Sequence, residues 1–265
     1  MKRIILSASV LFLSVTAVLF ALRCAISRPA IFPAPQYRLE PQLPGGGIVK
    51  AASTGGREAY GYYAPGGKRL IVFFHGNGEV MGSMQELAAI MQREGFSVLM
   101  AEYPGYGYAS MYKATEENLY DDAAALLKHM REKYGHSEAD TLLWGFSLGT
   151  GVAVETGKRQ LGERLLLMAP FTSTPDTAQH HLFFAARWLI TDKFDSKSKA
   201  LAIPYPVLIV HGEEDSVIPF SMGKELAGIF PHASFIPVAG ADHNDLLARL
   251  SRPQWSEILR FAKAQ

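Results

Sequence analysis

The chain has 265 residues, of which 48% are hydrophobic, so it is long and apolar enough to bury the core of one catalytic-size domain. Lys and Arg number 26 against 25 Asp and Glu, a net charge of +1, which gives no indication of nucleic-acid binding. The single cysteine, Cys24, excludes an intramolecular disulfide.

The N-terminus combines Lys2 and Arg3 with an uncharged apolar run from Ile4 to Leu22. At ~1.5 Å per helical residue this run would reach roughly across the hydrocarbon layer of a bilayer. Cleavable signals have apolar cores of about 7 to 15 residues, so the longer run favours a signal anchor over a signal peptide in residues 1–28. We therefore expect a single-pass membrane protein with an external (periplasmic or extracytoplasmic) domain. Secretion after cleavage is the alternative, since Ala25-Ile26-Ser27 resembles a small-residue cleavage site.

Residues 29–58 are predicted to form an extended connector that leads into the domain, because prolines and glycines are concentrated there. From residue 59 to 265, short apolar runs alternate with helical patterns, which predicts a mostly parallel sheet flanked by helices. Strands are expected near Ala59, Leu70, Phe96, Thr141, Leu165, Val207 and Ser234. Helices are expected over residues 82–92, 116–133, 148–159, 220–230 and 255–261.

The run Leu70 to Phe74 ends in His75-Gly76-Asn77-Gly78, which indicates a glycine-rich turn at the end of a strand. Glycines there let the main chain approach a ligand oxygen closely. We interpret His75 as a residue that shapes this turn.

A second strand end carries the candidate nucleophile. The apolar run Thr141 to Trp144 precedes Gly145-Phe146-Ser147-Leu148-Gly149, and a small-residue helical pattern follows. A serine on such a sharp strand-to-helix turn projects into a cleft, and the flanking glycines make room for it. The unsatisfied amide of Leu148, at the helix N-terminus, could donate to a developing oxyanion beside Ser147.

Residues 171–203 are longer than a simple crossover requires and are predicted to form a short helical lid insertion. Its helical spacing gives one apolar face, expected to be buried, that contains Ala178, Leu182, Ala185, Ala186 and Leu189. Phe184 and Trp188 lie on another face, where they are candidates to line an acyl-chain groove or to pack inside the lid. The adjacent His180 and His181 point in different directions on a helix, so they are not interpreted as a metal site.

Two later strand ends supply the partners of Ser147. Val207 to Val210 leads to Asp215, the candidate acid, and Ser234 to Val238 leads to His243, the candidate base. A serine hydroxyl needs a base to take its proton, and a carboxylate fixes the imidazole tautomer and stabilises the imidazolium. His211 is interpreted as a buried imidazole bonded to main chain, and Asp242 as a cap of its loop.

These motifs, together with Glu102-Tyr103-Pro104-Gly105-Tyr106-Gly107 and Phe194-Asp195-Ser196, give the chain a resemblance to the α/β-hydrolases over residues 60–264. The serine, acid, histidine order is the one found in that fold. The chain particularly resembles the membrane-associated serine hydrolases that include protein-depalmitoylating enzymes. The resemblance implies an α/β-hydrolase fold, with Asn77 as the second main-chain donor of the oxyanion hole beside Leu148.

The expected activity is cleavage of carboxylic esters or thioesters of small-molecule or lipid-like acyl substrates through an acyl-enzyme on Ser147, with no metal or organic cofactor. Two alternatives stay open. One is a peptidase of the same fold, and the other is a catalytically silent domain that binds a lipid or a protein.

Overall fold

An eight-stranded sheet forms the centre of the computed structural model, which describes residues 23, 25, 27–182 and 184–264. The sheet order is β1-β2-β4-β3-β5-β6-β7-β8. Strand β2 is antiparallel to both of its neighbours, β1 and β4, and every other neighbouring pair in this sheet is parallel. The strands are β1 (Gly47–Ala52), β2 (Glu58–Ala64), β3 (Leu70–Phe74), β4 (Ser97–Ala101), β5 (Thr141–Phe146), β6 (Arg164–Met168), β7 (Val207–Gly212) and β8 (Ala233–Val238).

Helices cover both faces of this sheet, as expected for parallel strands joined by crossovers. They are α1 (Gln85–Arg93), α2 (Glu116–Tyr134), α3 (Leu148–Lys158), α4 (Thr174–His181), α5 (Ser196–Lys199), α6 (Phe220–Ile229), α7 (Leu246–Arg249) and α8 (Arg252–Lys263). Helices α2, α3 and α6 contribute to the core on one face, whereas α1, α7 and α8 contribute to the core on the other.

Strand β3 shows why the central strands are apolar throughout. Leu70, Val72 and Phe74 pack into one core, and Ile71 and Phe73 pack into the other. All five side chains are buried, so an alternating polar pattern would leave polar groups without water.

The predicted α/β-hydrolase architecture is confirmed, and every predicted strand and helix lies at or beside an observed one. Strand β1 was not predicted. It falls in the Pro/Gly-rich stretch 29–58, and its pairing with β2 makes it the edge strand of the sheet.

The proline-rich stretch before β1 packs on the domain. Residues 27–31 are helical, and the Phe32 ring lies 6.0 Å from the Phe194 ring in an edge-to-face arrangement. Further along, the Gly107 N–H donates to the Pro35 carbonyl at 2.9 Å. This stretch therefore lies along the domain surface and does not act as a free spacer.

Residues 171–203 contain α4, a 3₁₀ segment (Phe184–Trp188), α5 and a second 3₁₀ turn (Ala200–Ala202), so short helices do occupy the predicted lid. The prediction that Leu182 and Leu189 belong to a buried face is wrong, because both side chains are exposed. Helix α4 ends at His181, and the non-helical φ and ψ of Leu182 break the periodicity. Ala186 is buried as expected.

The apolar run from Ile4 to Leu22, predicted as a signal anchor, lies outside the described residues. Within the described part of the chain, no helix has the length and apolar content needed to cross a membrane.

Candidate active site

Ser147 occupies the sharp turn between β5 and α3. Its φ of 51° and ψ of −120° lie in a region that residues with a side chain rarely adopt. The Ser147 N–H donates to the Met168 carbonyl at 3.0 Å, and the Thr150 N–H donates to the Ser147 carbonyl at 2.9 Å. Main-chain bonds on both sides thus hold the serine in its strained conformation.

The two glycines of this turn are required because nearby main-chain atoms leave no room for a side chain. A Cβ at Gly145 would lie 2.5 Å from the Gly149 carbonyl oxygen. A Cβ at Gly149 would lie 2.0 Å from the Phe74 carbonyl oxygen at the end of β3. Because main-chain atoms cannot move aside as a flexible side chain can, only glycine allows α3 to begin so close to the sheet.

The structure brings Ser147, His243 and Asp215 into one hydrogen-bonded chain. The distance from Ser147 Oγ to His243 Nε2 is 3.0 Å, and that from His243 Nδ1 to Asp215 Oδ2 is 2.8 Å. All three side chains are buried. An ionised Asp215 only accepts hydrogen bonds, so Nδ1 of His243 carries the proton and Nε2 is free to accept from Ser147.

Asp215 is held ionised by the groups around it. Burial by itself would raise the pKa of its carboxyl, but hydrogen bonds from His211 and His243 outweigh burial and hold this pKa well below its ordinary value. Oδ1 also accepts from the main-chain amides of Val217 at 2.9 Å and Ile218 at 2.7 Å. The carboxylate therefore has a fixed orientation towards His243.

The predicted oxyanion donors lie at two loop ends next to the serine. Leu148 is the first residue of α3, and Asn77 follows Gly76, where an added Cβ would lie 3.0 Å from the Phe146 ring. Within the described part of the chain, neither the Asn77 nor the Leu148 main-chain N–H has an acceptor. Both amides are thus available to an incoming oxygen, and their role as an oxyanion hole stays a prediction.

Comparison with known proteins finds related sequences. The family described as serine aminopeptidase, S33, matches residues 66–197, which contain Ser147 but neither Asp215 nor His243. The chain is 33% identical over 190 residues to alpha/beta hydrolase domain-containing protein 17C of Xenopus tropicalis, and 34% identical over 190 residues to protein 17B of Homo sapiens. Both alignments cover 69% of this chain, but only 58% and 63% of these relatives, respectively.

Solved structures share the fold. An esterase of Pyrococcus furiosus superposes with a TM-score of 0.73 over 86% of this chain and 98% of its own, at 16% identity. The related sequences and this fold together show that the chain belongs to the α/β-hydrolase superfamily. A puromycin-hydrolysing peptidase of Mycobacterium tuberculosis shares the fold over 82% of this chain and 38% of its own, with a TM-score of 0.69 and 16% identity.

In this α/β-hydrolase, His211 does more than its sequence position indicated. The imidazole is fully buried, and Nε2 lies 3.0 Å from the Ile218 carbonyl, in agreement with the predicted main-chain bond. The same Nε2 also lies 3.3 Å from Oδ2 of Asp215. The sequence pattern did not predict this second contact, although a histidine near the end of β7 was the available signal.

Asp242 adjoins His243, and its carboxylate bonds to the Asp215 loop. Its Oδ1 accepts hydrogen bonds from the Ser216 N–H and hydroxyl, both at 2.8 Å. These bonds join the His243 loop to the Asp215 loop, which agrees with the interpretation of Asp242 as a loop cap.

A buried carboxylate beneath the glycine-rich turn was missed by sequence reasoning. Glu102 directly follows β4, and its Oε1 lies 3.3 Å from His75 Nε2 and accepts from the Met81 N–H at 3.3 Å. The Tyr103 hydroxyl donates to the His75 carbonyl at 2.8 Å. His75 thus shapes the turn as expected, and Glu102 is the group that holds it.

Trp188 is the one of the two predicted substrate-binding lid residues whose side chain the structure describes, and it has no described hydrogen bond to this network. Trp188 lies on the lid surface, with most of its side chain exposed. The prediction for the Phe184 side chain falls outside the part of the structure that is described. Among the described residues, no cluster of three His, Cys, Asp or Glu side chains is arranged to hold a metal ion.

Proposed function

We propose that the chain is a serine hydrolase that cleaves carboxylic esters or thioesters through an acyl-enzyme on Ser147. The observation that carries this proposal is the hydrogen-bonded chain from Ser147 through His243 to Asp215. Ser147 Oγ attacks the acyl carbonyl while Nε2 of His243 takes its proton, and Asp215 stabilises the imidazolium that forms. The imidazolium then returns this proton to the leaving alkoxide or thiolate.

Deacylation uses the same groups. Nε2 of His243 takes a proton from water, the resulting hydroxide attacks the acyl-enzyme, and the proton returns to Ser147 as the carboxylic acid leaves. In both halves the tetrahedral intermediate places its oxyanion near the Asn77 and Leu148 amides. Neither N–H has an acceptor among the described residues, which supports this part of the proposal.

We extend the proposal to small-molecule or lipid-like acyl substrates and to membrane attachment through residues 1–28, with the catalytic domain external. Two features of the sequence support it, namely the apolar run Ile4 to Leu22 and the resemblance to membrane-associated, depalmitoylating hydrolases. The names of the matched relatives specify a hydrolase domain but do not specify its substrate.

A peptidase activity is the second candidate, favoured by the family description that matches residues 66–197. Amide cleavage would use the same three residues, so the two candidates differ in the leaving group and not in the nucleophile.

The test is hydrolysis of three substrates with one acyl group, namely a p-nitrophenyl ester, a thioester and a peptide anilide. We expect the wild type to favour the ester and thioester. Ser147→Ala should lower turnover by about six orders of magnitude, because the triad acts as one unit. Ser256→Ala, on the exposed face of α8, is the matched control and should be unchanged. Preferential cleavage of the anilide would support the peptidase candidate instead. Hydrolysis at the wild-type rate in Ser147→Ala would contradict both candidates, since both use Ser147 as the nucleophile.

A further inference from the structure

Three large apolar side chains are exposed on the lid. Leu182 is 69% exposed, Trp188 is 66% exposed and Leu189 is 37% exposed. Single exposed hydrophobics are ordinary, but these three form a cluster in the sequence, within residues 182–189 of one short insertion. This cluster is called the lid edge below.

The chain that leaves the apolar run 4–22 meets the lid immediately after the lid edge. The Arg23 guanidinium donates to the Ile190 carbonyl at 3.4 Å. The hydroxyls of Ser27 and Thr191 are 3.0 Å apart. Two residues that follow the apolar run therefore contact two consecutive residues that follow Leu189.

A buried ion pair fixes this arrangement. Arg28 Nε lies 3.0 Å from Oδ2 of Asp192, whose side chain is only 5% exposed. The other oxygen of Asp192 accepts from the Glu116 N–H, at the start of α2, at 2.8 Å. Charge-assisted bonds of this kind hold their geometry well, so the lid, the N-terminal segment and the domain keep one relative orientation.

The lid edge is also joined to the active-site loop. His181, next to Leu182, donates from Nε2 to the Val217 carbonyl at 2.6 Å. The Val217 N–H in turn donates to Asp215 Oδ1 at 2.9 Å. Two hydrogen bonds thus separate the exposed end of α4 from the acid of the triad.

We propose that the lid edge rests in the interfacial region of the bilayer into which residues 4–22 insert. The end of the apolar run identifies lipid as the partner of the lid edge, because the contact of Arg23 with Ile190 would place the membrane boundary beside the lid edge. Tryptophan favours the membrane–water interface, and apolar side chains there sink about 5–10 Å into the headgroup and acyl boundary. Arg23 lies where anionic headgroups would attract it. The proposal rests on residues 4–22 being a retained anchor and does not depend on the hydrolase reaction.

The test uses tryptophan fluorescence of the full chain in lipid vesicles. The chain has three tryptophans, of which Trp144 is fully buried and Trp255 is partly buried on α8. Vesicles contain phosphatidylcholine brominated either near the headgroup or near the acyl-chain end, and flotation first separates bound protein. Trp188→Phe removes the reporter, and Trp255→Phe is the matched control.

We expect the headgroup-proximal bromolipid to quench wild type and Trp255→Phe more than the deep bromolipid does, and Trp188→Phe to lose most of that quenching. Equal quenching in wild type and Trp188→Phe would overturn the proposal. The proposal would also be overturned if Trp188 were shielded from aqueous iodide but not quenched by either bromolipid. In that case the N-terminal residues or a second copy of the chain would cover Trp188 in place of lipid. Failure of the full chain to float with the vesicles would overturn the anchor on which the proposal rests.

Discussion

Replacing Asp215 with Asn should greatly reduce activity, because it would fix the imidazole of His243 in the wrong tautomer. The amides of Val217 and Ile218, at 2.9 and 2.7 Å, both donate to Oδ1, so the Asn carbonyl must stay there. The opposite flip would set an NH₂ group against two N–H donors, at a cost of about 1–3 kcal/mol for each lost bond. The Asn NH₂ therefore faces His243 Nδ1, which must become an acceptor.

This change of tautomer affects Ser147, whose Oγ lies 3.0 Å from Nε2, the other imidazole nitrogen of His243. With Nδ1 accepting, Nε2 carries the proton and cannot take one from the serine. We expect kcat/KM for a p-nitrophenyl ester to fall by about four orders of magnitude, which corresponds to about 5.5 kcal/mol of transition-state stabilisation. Steady-state kinetics measure this loss, and circular dichroism checks that Asp215→Asn is folded.

Asp242→Asn is the matched control, because Asp242 is the neighbouring carboxylate and its described hydrogen bonds go to Ser216. We expect it to change kcat/KM by no more than about twofold, because the carbonyl of an Asn side chain can still accept both bonds from Ser216. A loss of less than tenfold in Asp215→Asn, or a larger loss in Asp242→Asn than in Asp215→Asn, would refute the reasoning.

Three further predictions concern stability. Gly149→Ala should lower the unfolding free energy by about 3 kcal/mol or more, since its Cβ would lie 2.0 Å from a carbonyl oxygen of β3. Gly228→Ala should raise the unfolding free energy by about 0.5–1 kcal/mol, because a Cβ at this position of α6 would meet no other atom. Equal midpoints of the two variants in urea unfolding would contradict this. In the folded protein the pKa of Asp215 lies below the value of about 3.9 expected in an unfolded chain, so the ionised carboxylate stabilises the fold at pH values above about 4. The stability advantage of wild type over Asp215→Asn should therefore shrink as the pH falls below about 4. An advantage that grows in acid would contradict the direction of this pKa shift. Glu102→Ala leaves His75 Nε2 without its buried partner and should cost about 1–3 kcal/mol in the same unfolding assay, and an unchanged midpoint would show that the pair is not stabilising.

The positions of the site residues could be predicted because each follows an apolar strand. Parallel strands end at the same edge of a sheet, so Ser147 after β5, Asp215 after β7 and His243 after β8 had to lie near one another. The strand signal was strong because both faces of these strands are buried, which leaves continuous apolar runs in the sequence.

Strand β1 could not be predicted because its sequence carries little of that signal. Its residues begin with Gly47 and alternate exposed and buried positions at the sheet edge, next to a run of prolines. Only the pairing with β2 stabilises it as a strand. Leu182 was misplaced for a related reason, since helical spacing says nothing about where a helix ends.

The partners that support the site were missed because they are joined through space. His211 reaches Asp215 from β7, and Glu102 reaches His75 from the end of the neighbouring strand β4. In the sequence, each is one polar residue beside an apolar strand, and its partner is set by the register and the loop conformation. Spacing alone could not distinguish a buried support from a residue that lines a ligand site.

Covalent labelling tests the central claim, that Ser147 is an activated nucleophile, most directly. Purified wild type and Ser147→Ala, both shown to be folded, are treated with a fluorophosphonate probe and analysed by intact mass. The structure predicts that wild type gains the mass of one probe and that Ser147→Ala gains none. Equal labelling of both proteins would mean that another residue is the nucleophile, and a folded wild type that takes up no probe would contradict an activated serine at this turn.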